Sequence, residues 1–206
     1  MTGVTPPGNA PTPWETAFEW VVMAEGGYVK DPNDPGGATN LGVSLRAVRL
    51  RDADKDGRLD FDLNHDGVVD DFDIRMITRT EAAQLYQADY WNMARCFEFP
   101  PEVGIALFDA AVLGGPRAAV ALLQKSLKVN PDGRVGPATI GASKGRPARQ
   151  IVARFMAERT GFYAGLKQAP HFMTGWAKRL FQLDQFLFLD YPFTTREELR
   201  AWSGAK

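Results

Sequence analysis

Apolar residues recur at helical spacing through most of the chain. Phe18, Val21 and Val22 mark one buried face of a helix that opens after Pro13 and runs from Trp14 to Met23. Gly26 and Gly27 end it and leave Glu25 at its C-terminal end. The stretch 29–43, with Pro32, Pro35 and several glycines, cannot continue as helix and reads as a loop with a short hairpin. Ser44 is placed to cap a brief helix reaching Leu50, and Thr78 with Glu81 forms a capping box for a helix to about Tyr90. Pro100 and Pro101 start a helix that turns Val103, Leu107, Phe108 and Val112 inward. Gly114-Gly115-Pro116 breaks the pattern, and the next helix presents Val120, Leu123 and Leu127. Asn130 to Gly133 is a turn, Pro137 starts a short helix, and long helical patterns cover about 147–167 and 171–189. A last amphipathic piece spans Thr195–Trp202, and Phe181, Phe186, Phe188 and Leu189 read as core. The pattern predicts a mainly α protein with a small β or irregular element near 29–43.

Composition changes this picture little: 45% hydrophobic and 24% charged residues are those of an ordinary globular protein. Residues Met1–Pro13, with Pro6, Pro7, Pro11 and Pro13, read as a flexible tail with neither the basic start nor the apolar core of a secretory signal. The expectation is synthesis in the cytoplasm, with export left to another factor. Cys96 is alone, so no internal disulfide framework exists, and a buried core role is expected of it. Two histidines, His65 and His171, argue against a His-rich zinc site. No run of 18 apolar residues is present to span a membrane.

Charge is unevenly placed. Residues 52–73 hold nine aspartates against Lys55 and Arg58, a local −7, so that the rest of a chain of net −1 carries +6. A basic body attracts anionic polymers. Without a nucleic-acid motif or an aromatic-interleaved basic stripe, bacterial wall material is the expected partner rather than nucleic acid.

The acidic segment has its own pattern. Asp62, Asn64 and Asp66 occupy alternate positions, Gly67 follows for a sharp turn, Val68 offers a carbonyl and Asp73 closes a twelve-residue loop. Hard oxygen donors at this spacing suit Ca²⁺ in an EF-hand or dockerin-like loop. A preceding repeat, Asp52, Asp54, Asp56, Arg58 and Asp60, starts equally well but has Leu63 at its twelfth position, which makes it the weaker loop. Leu59, Val69 and Phe72 fall at packing positions, and a structural cation would relieve the mutual repulsion of the carboxylates.

Candidate chemistry centres on Glu25-Gly26-Gly27-Tyr28, with Asp34 and Thr39 nine and fourteen residues beyond the glutamate. Cleaving a glycosidic bond needs a carboxylic acid beside the leaving oxygen and a second group that positions water or stabilises the transition state. An acid keeps its proton at neutral pH when enclosed by apolar groups, and Met23, Ala24 and Tyr28 are its neighbours.

Taken together, Glu25 to Tyr28, Asp31-Pro32, Asp34 to Asn40 and Gly42-Val43 resemble the signature of glycoside hydrolase family 108. The similarity continues through Ala88 to Trp91 and Phe108 to Val112. Residues Ala118–Leu127 and Asp132–Pro137 resemble the peptidoglycan-binding segment joined to that family. The resemblance implies a lysozyme-like α+β body, interrupted here by the acidic loop, and an endolysin-type N-acetylmuramidase. It places the catalytic acid at Glu25 and, by the Glu, Asp, Thr order of phage-type lysozymes, gives Asp34 and Thr39 the attacking water, with inversion. Tyr28, Tyr90 and Trp91 are expected to face sugar rings, and Asp109 to make a polar substrate contact. Implied too are a catalytic region over 14–113, a helical wall-binding segment over 114–206 packed into the same body, a monomer, and a holin-like factor for access to the wall. A lytic transglycosylase and a calcium-dependent wall-binding module without catalysis are the competing readings.

Overall fold

The computed structural model describes residues 11–30 and 37–188. Asp34, most of the N-terminal tail and the helix expected at Thr195–Trp202 lie outside the described residues. In chain order the elements are α1 (Pro13–Glu25), β1 (Thr39–Asn40), β2 (Val43–Ser44), α2 (Leu45–Val48), α3 (Asp71–Met76), α4 (Arg79–Tyr86), α5 (Pro101–Gly114), α6 (Pro116–Leu127), α7 (Pro137–Ser143), α8 (Ala148–Ala164) and α9 (Ala169–Phe188). The described residues are mainly helical with one small antiparallel sheet, consistent with a lysozyme-like fold. No helix among the described residues is long and apolar enough to cross a membrane.

Local chemistry explains most boundaries. Ser44 caps α2 by accepting from Ala47 N at 3.3 Å, and α2 ends at Val48, two residues short of the expected Leu50. Thr78 and Glu81 close a reciprocal capping box on α4. Helix α4 stops at Tyr86 because the chain widens into a π-helical turn over Gln87–Asn92, which no propensity signals. Prolines at the first turns of α5, α6 and α7 sit where their missing N–H costs nothing.

The chain groups into two compact units, and the divisions fall inside α1 and α9. One comprises the chain through Glu19 together with Tyr90–Ala177. Its centre is α5, which packs on α6 and α8 and buries Val103, Leu107 and Phe108. Trp14 stacks on Phe18, and Trp14, Trp91 and Phe108 meet edge to face at 5.6–5.8 Å. Val120, Leu123 and Leu127 of α6 are buried as expected, as is Cys96, whose thiol burial pushes up beyond ordinary reactivity. Within this unit α5 and α6 share one core across the Gly114-Gly115-Pro116 break.

The other unit comprises Trp20–Asp89 and the chain from Lys178. Its core contains Trp20, Val21, Val43, Val48, Ile74, Tyr86, Leu180 and Leu183. Trp20 meets Phe186 of α9 at 5.2 Å between ring centroids. Phe181, read as core, is 69% exposed, because Leu180 and Leu183 are the α9 positions that turn inward here. Phe72 is likewise exposed, and Phe61 with Val69 takes the packing role in the acidic segment.

Candidate active site

Glu25 ends α1, and Gly26 in the left-handed region (φ 97°) turns the chain away while its N–H still bonds the Val22 carbonyl at 3.2 Å. The chain then pairs with the hairpin. Val29 exchanges two 2.8 Å backbone hydrogen bonds with Thr39, and Thr39 and Asn40 pair with Ser44 and Val43. Thr39 is thus the middle rung of a three-chain patch. The hairpin tip, Leu41-Gly42, has both φ values positive (50° and 77°), as a two-residue primed turn requires.

Gly42 brings the hairpin against the glutamate. A β-carbon placed on Gly42 would lie 2.9 Å from Glu25 Cβ and Cγ and 2.2 Å from the Tyr86 hydroxyl. The backbone carrying Thr39 therefore abuts the side chain of Glu25. The Glu25 carboxylate, 27% exposed, accepts a 2.6 Å hydrogen bond from Arg179 Nη1 of α9. In place of the apolar enclosure expected from Met23, Ala24 and Tyr28, the acid has a guanidinium partner. Nothing local in sequence could have signalled Arg179, which lies 154 residues away.

Helix α3 braces both sides of residues 31–36. Before them, Tyr28 lies under the Arg75 guanidinium at 4.6 Å and its hydroxyl accepts from Arg75 Nη2 at 3.4 Å, while Lys30 pairs with Asp71. After them, Asn40 Nδ2 donates to the Ile74 carbonyl at 3.0 Å and reaches those of Arg75 and Ile77. Tyr28 is therefore committed to Arg75 on one face.

The remaining expected substrate contacts belong to the other unit. Tyr90, half-buried, stands in the π-helical turn. Trp91 is 5% exposed within the aromatic cluster, so it packs rather than faces solvent. Asp109 is a correction: it is wholly buried and accepts a 2.6 Å bond from the equally buried Arg159, whose guanidinium also donates to the Tyr163 hydroxyl. A carboxylate sealed in a core ion pair cannot touch a sugar.

The acidic segment folds as two similar loops. Asp52 accepts from the N–H groups of Asp56 and Gly57, and Asp62 does the same for Asp66 and Gly67. Lys55 and His65 share φ 61°, and Gly57 and Gly67 follow at 85° and 89°. Carboxylate oxygens of Asp52, Asp54 and Asp60 converge within 4.8 Å of one another, whereas Asp56 turns one oxygen to the N–H of Arg58. The converging set thus belongs to the loop that sequence ranked second. In the other loop, Asn64 donates to Asp66 and Val68 donates its N–H to Asp66, while the buried Asp73 accepts from the N–H groups of Leu63, Asn64 and Asp70. Asp73 is thereby the capping-box residue of α3.

A cavity of about 580 Å³ opens elsewhere in this unit, walled by Gly37, Leu45 and three arginines, Arg46, Arg49 and Arg51; Glu25 is not among its walls.

Comparison with known proteins gives these features a context. Residues 18–115 match the family described as Glycosyl hydrolase 108, and residues 118–181 match the Predicted Peptidoglycan domain. The structure is similar to that of Brucella abortus SagA, with a TM-score of 0.68 and 30% identity over 92% of this chain and 95% of that one. No curated protein sequence matches the chain. The chain belongs to glycosyl hydrolase family 108 and is a glycoside hydrolase of peptidoglycan, a muramidase, with a peptidoglycan domain following its hydrolase region.

Proposed function

We propose that the enzyme hydrolyses the β-1,4 bond between N-acetylmuramic acid and N-acetylglucosamine, with Glu25 as general acid. The observation that carries this reading is the seating of Glu25 at a helix end against the Gly42 hairpin, whose first strand carries Thr39. Thr39 and Asp34, five residues before it, hold the attacking water, and the anomeric configuration inverts. Tyr28, in the same unit as Glu25, is the aromatic residue that contacts the sugar in this reading. The protein acts as an endolysin: a monomer made in the host cytoplasm that reaches the wall once a holin-like factor opens the way.

Calcium is part of the same proposal. Asp52, Asp54 and Asp60 offer converging hard oxygens, which fit Ca²⁺. The second loop, with Asp62, Asn64, Asp66, Val68 and Asp73, has the donor set but has Asp73 engaged by backbone amides. The ion is structural, since these loops supply no group to Glu25.

The test is Glu25→Gln on purified wall. Loss of a general acid is expected to lower turnover by about 1,000-fold or more, with far-ultraviolet dichroism unchanged. Products of the unaltered enzyme should carry reducing N-acetylmuramic acid ends in mass spectra. Retained turnover in folded Glu25→Gln rejects the acid, and 1,6-anhydro ends reject hydrolysis in favour of transglycosylation.

A further inference from the structure

We propose that Arg179 is a positioning residue for catalysis, holding the Glu25 carboxylate in place and stabilising the charge it acquires as it gives up its proton. The proposal rests on Glu25 being the acid. Three observations support it. Arg179 Nη1 lies 2.6 Å from Glu25 Oε1, and both side chains are largely shielded, at 14% and 27% exposure. A charge-assisted bond at that distance in a partly dry site is stronger than a surface pair. Next, Glu25 ends α1, where the helix dipole presents its negative pole, so an ionised carboxylate there needs a compensating cation. Finally, Arg179 is held by a packed element: its neighbours Leu180 and Leu183 are buried, and Phe186 meets Trp20 of α1. The guanidinium is thus delivered by a rigid helix, which is what preorganised stabilisation requires.

The step balances simply. Water adds to the anomeric carbon, the bond from that carbon to the glycosidic oxygen breaks, and the proton of Glu25 passes to that oxygen. The carboxylate left behind is the form that pairs with Arg179. The released sugar leaves as an alcohol, and the proton of the attacking water goes to solvent.

A consequence concerns the boundary of the catalytic apparatus. Arg179 lies within residues 118–181, the part matched to the peptidoglycan domain, and outside 18–115. The segment assigned to wall binding therefore also completes the hydrolytic site.

The experiment uses the full chain with a soluble peptidoglycan fragment. Arg179→Ala is expected to lower kcat by about 100-fold while KM changes by less than about threefold, a split that lost folding or lost wall affinity would not give. Arg179→Lys should recover about tenfold of that loss, and added guanidinium ion should partly restore Arg179→Ala. If Arg179→Ala does not fold, Arg179→Gln and Arg179→Lys replace it, with the lysine variant expected to be at least tenfold faster. Near-wild-type kcat in folded Arg179→Ala, an effect confined to KM, or equal rates for the glutamine and lysine variants overturns the proposal. An inactive Glu25→Gln beside fully active Arg179 variants rejects this inference alone, whereas an active Glu25→Gln rejects the underlying acid assignment.

Discussion

At the scale of single residues, the site depends on the absence of a side chain at Gly42. Its positive φ favours glycine, and its missing β-carbon makes room for both Glu25 and the Tyr86 hydroxyl. Gly42→Ala would strain the turn and push against two packed groups at once. The expected cost is about 1–3 kcal/mol of stability, read as a lower melting temperature. Displacing Glu25 by a fraction of an ångström should also cost up to about 100-fold in turnover, measured where both proteins remain folded. A variant as active and as stable as the parent would show that the hairpin does not support the acid. Leu41, one residue earlier, adopts the left-handed region without glycine's freedom, and such strain is tolerated where surrounding structure fixes it.

At the scale of elements, α3 links the acidic loops to the hairpin. Its first turn is fixed by Asp70 and Asp73, and its side chains and last carbonyls hold Tyr28, Lys30 and Asn40. A cation that orders the loops should therefore firm the segments flanking residues 31–36. Added Ca²⁺ at about 100 times its dissociation constant should stabilise the protein by about 2.7 kcal/mol and raise the melting temperature by roughly 5 °C or more. EDTA should reverse the shift, and Asp54→Asn should shrink it. A melting temperature indifferent to Ca²⁺ and EDTA would remove the metal from this account. Much of this scale was legible in sequence, because caps are local: Ser44, Thr78 with Glu81, and the prolines that open α5, α6 and α7 announce themselves within four residues. The π-helical turn was not, since its widening follows from packing. Asp73 was read as a metal ligand because the same carboxylate spacing serves both a calcium loop and a capping box.

At the scale of the whole molecule, long-range pairs carry what periodicity hides. Asp109 and Arg159 lie 50 residues apart and meet with no solvent exposure. Sequence shows a carboxylate in an apolar helix, which invites a substrate role; only the fold reveals its partner. Arg159→Met leaves a buried charge unpaired and should cost about 3–5 kcal/mol in denaturant unfolding, whereas Asp109→Leu combined with Arg159→Met should lie closer to the parent. Equal losses for the single and double variants would mean that the pair contributes nothing beyond volume. The unit boundaries at 19/20, 89/90 and 177/178 were equally hidden, because helices α1 and α9 continue through two of them without a break in pattern.

The 154-residue separation of Glu25 and Arg179 has a bearing on biosynthesis. The ribosome delivers the glutamate first and its cation only 154 residues later. A chain truncated by a premature stop or by proteolysis before α9 would retain Glu25 yet lack Arg179. On the proposed roles, full activity on the wall would belong to the chain folded through α9 and not to its earlier fragments.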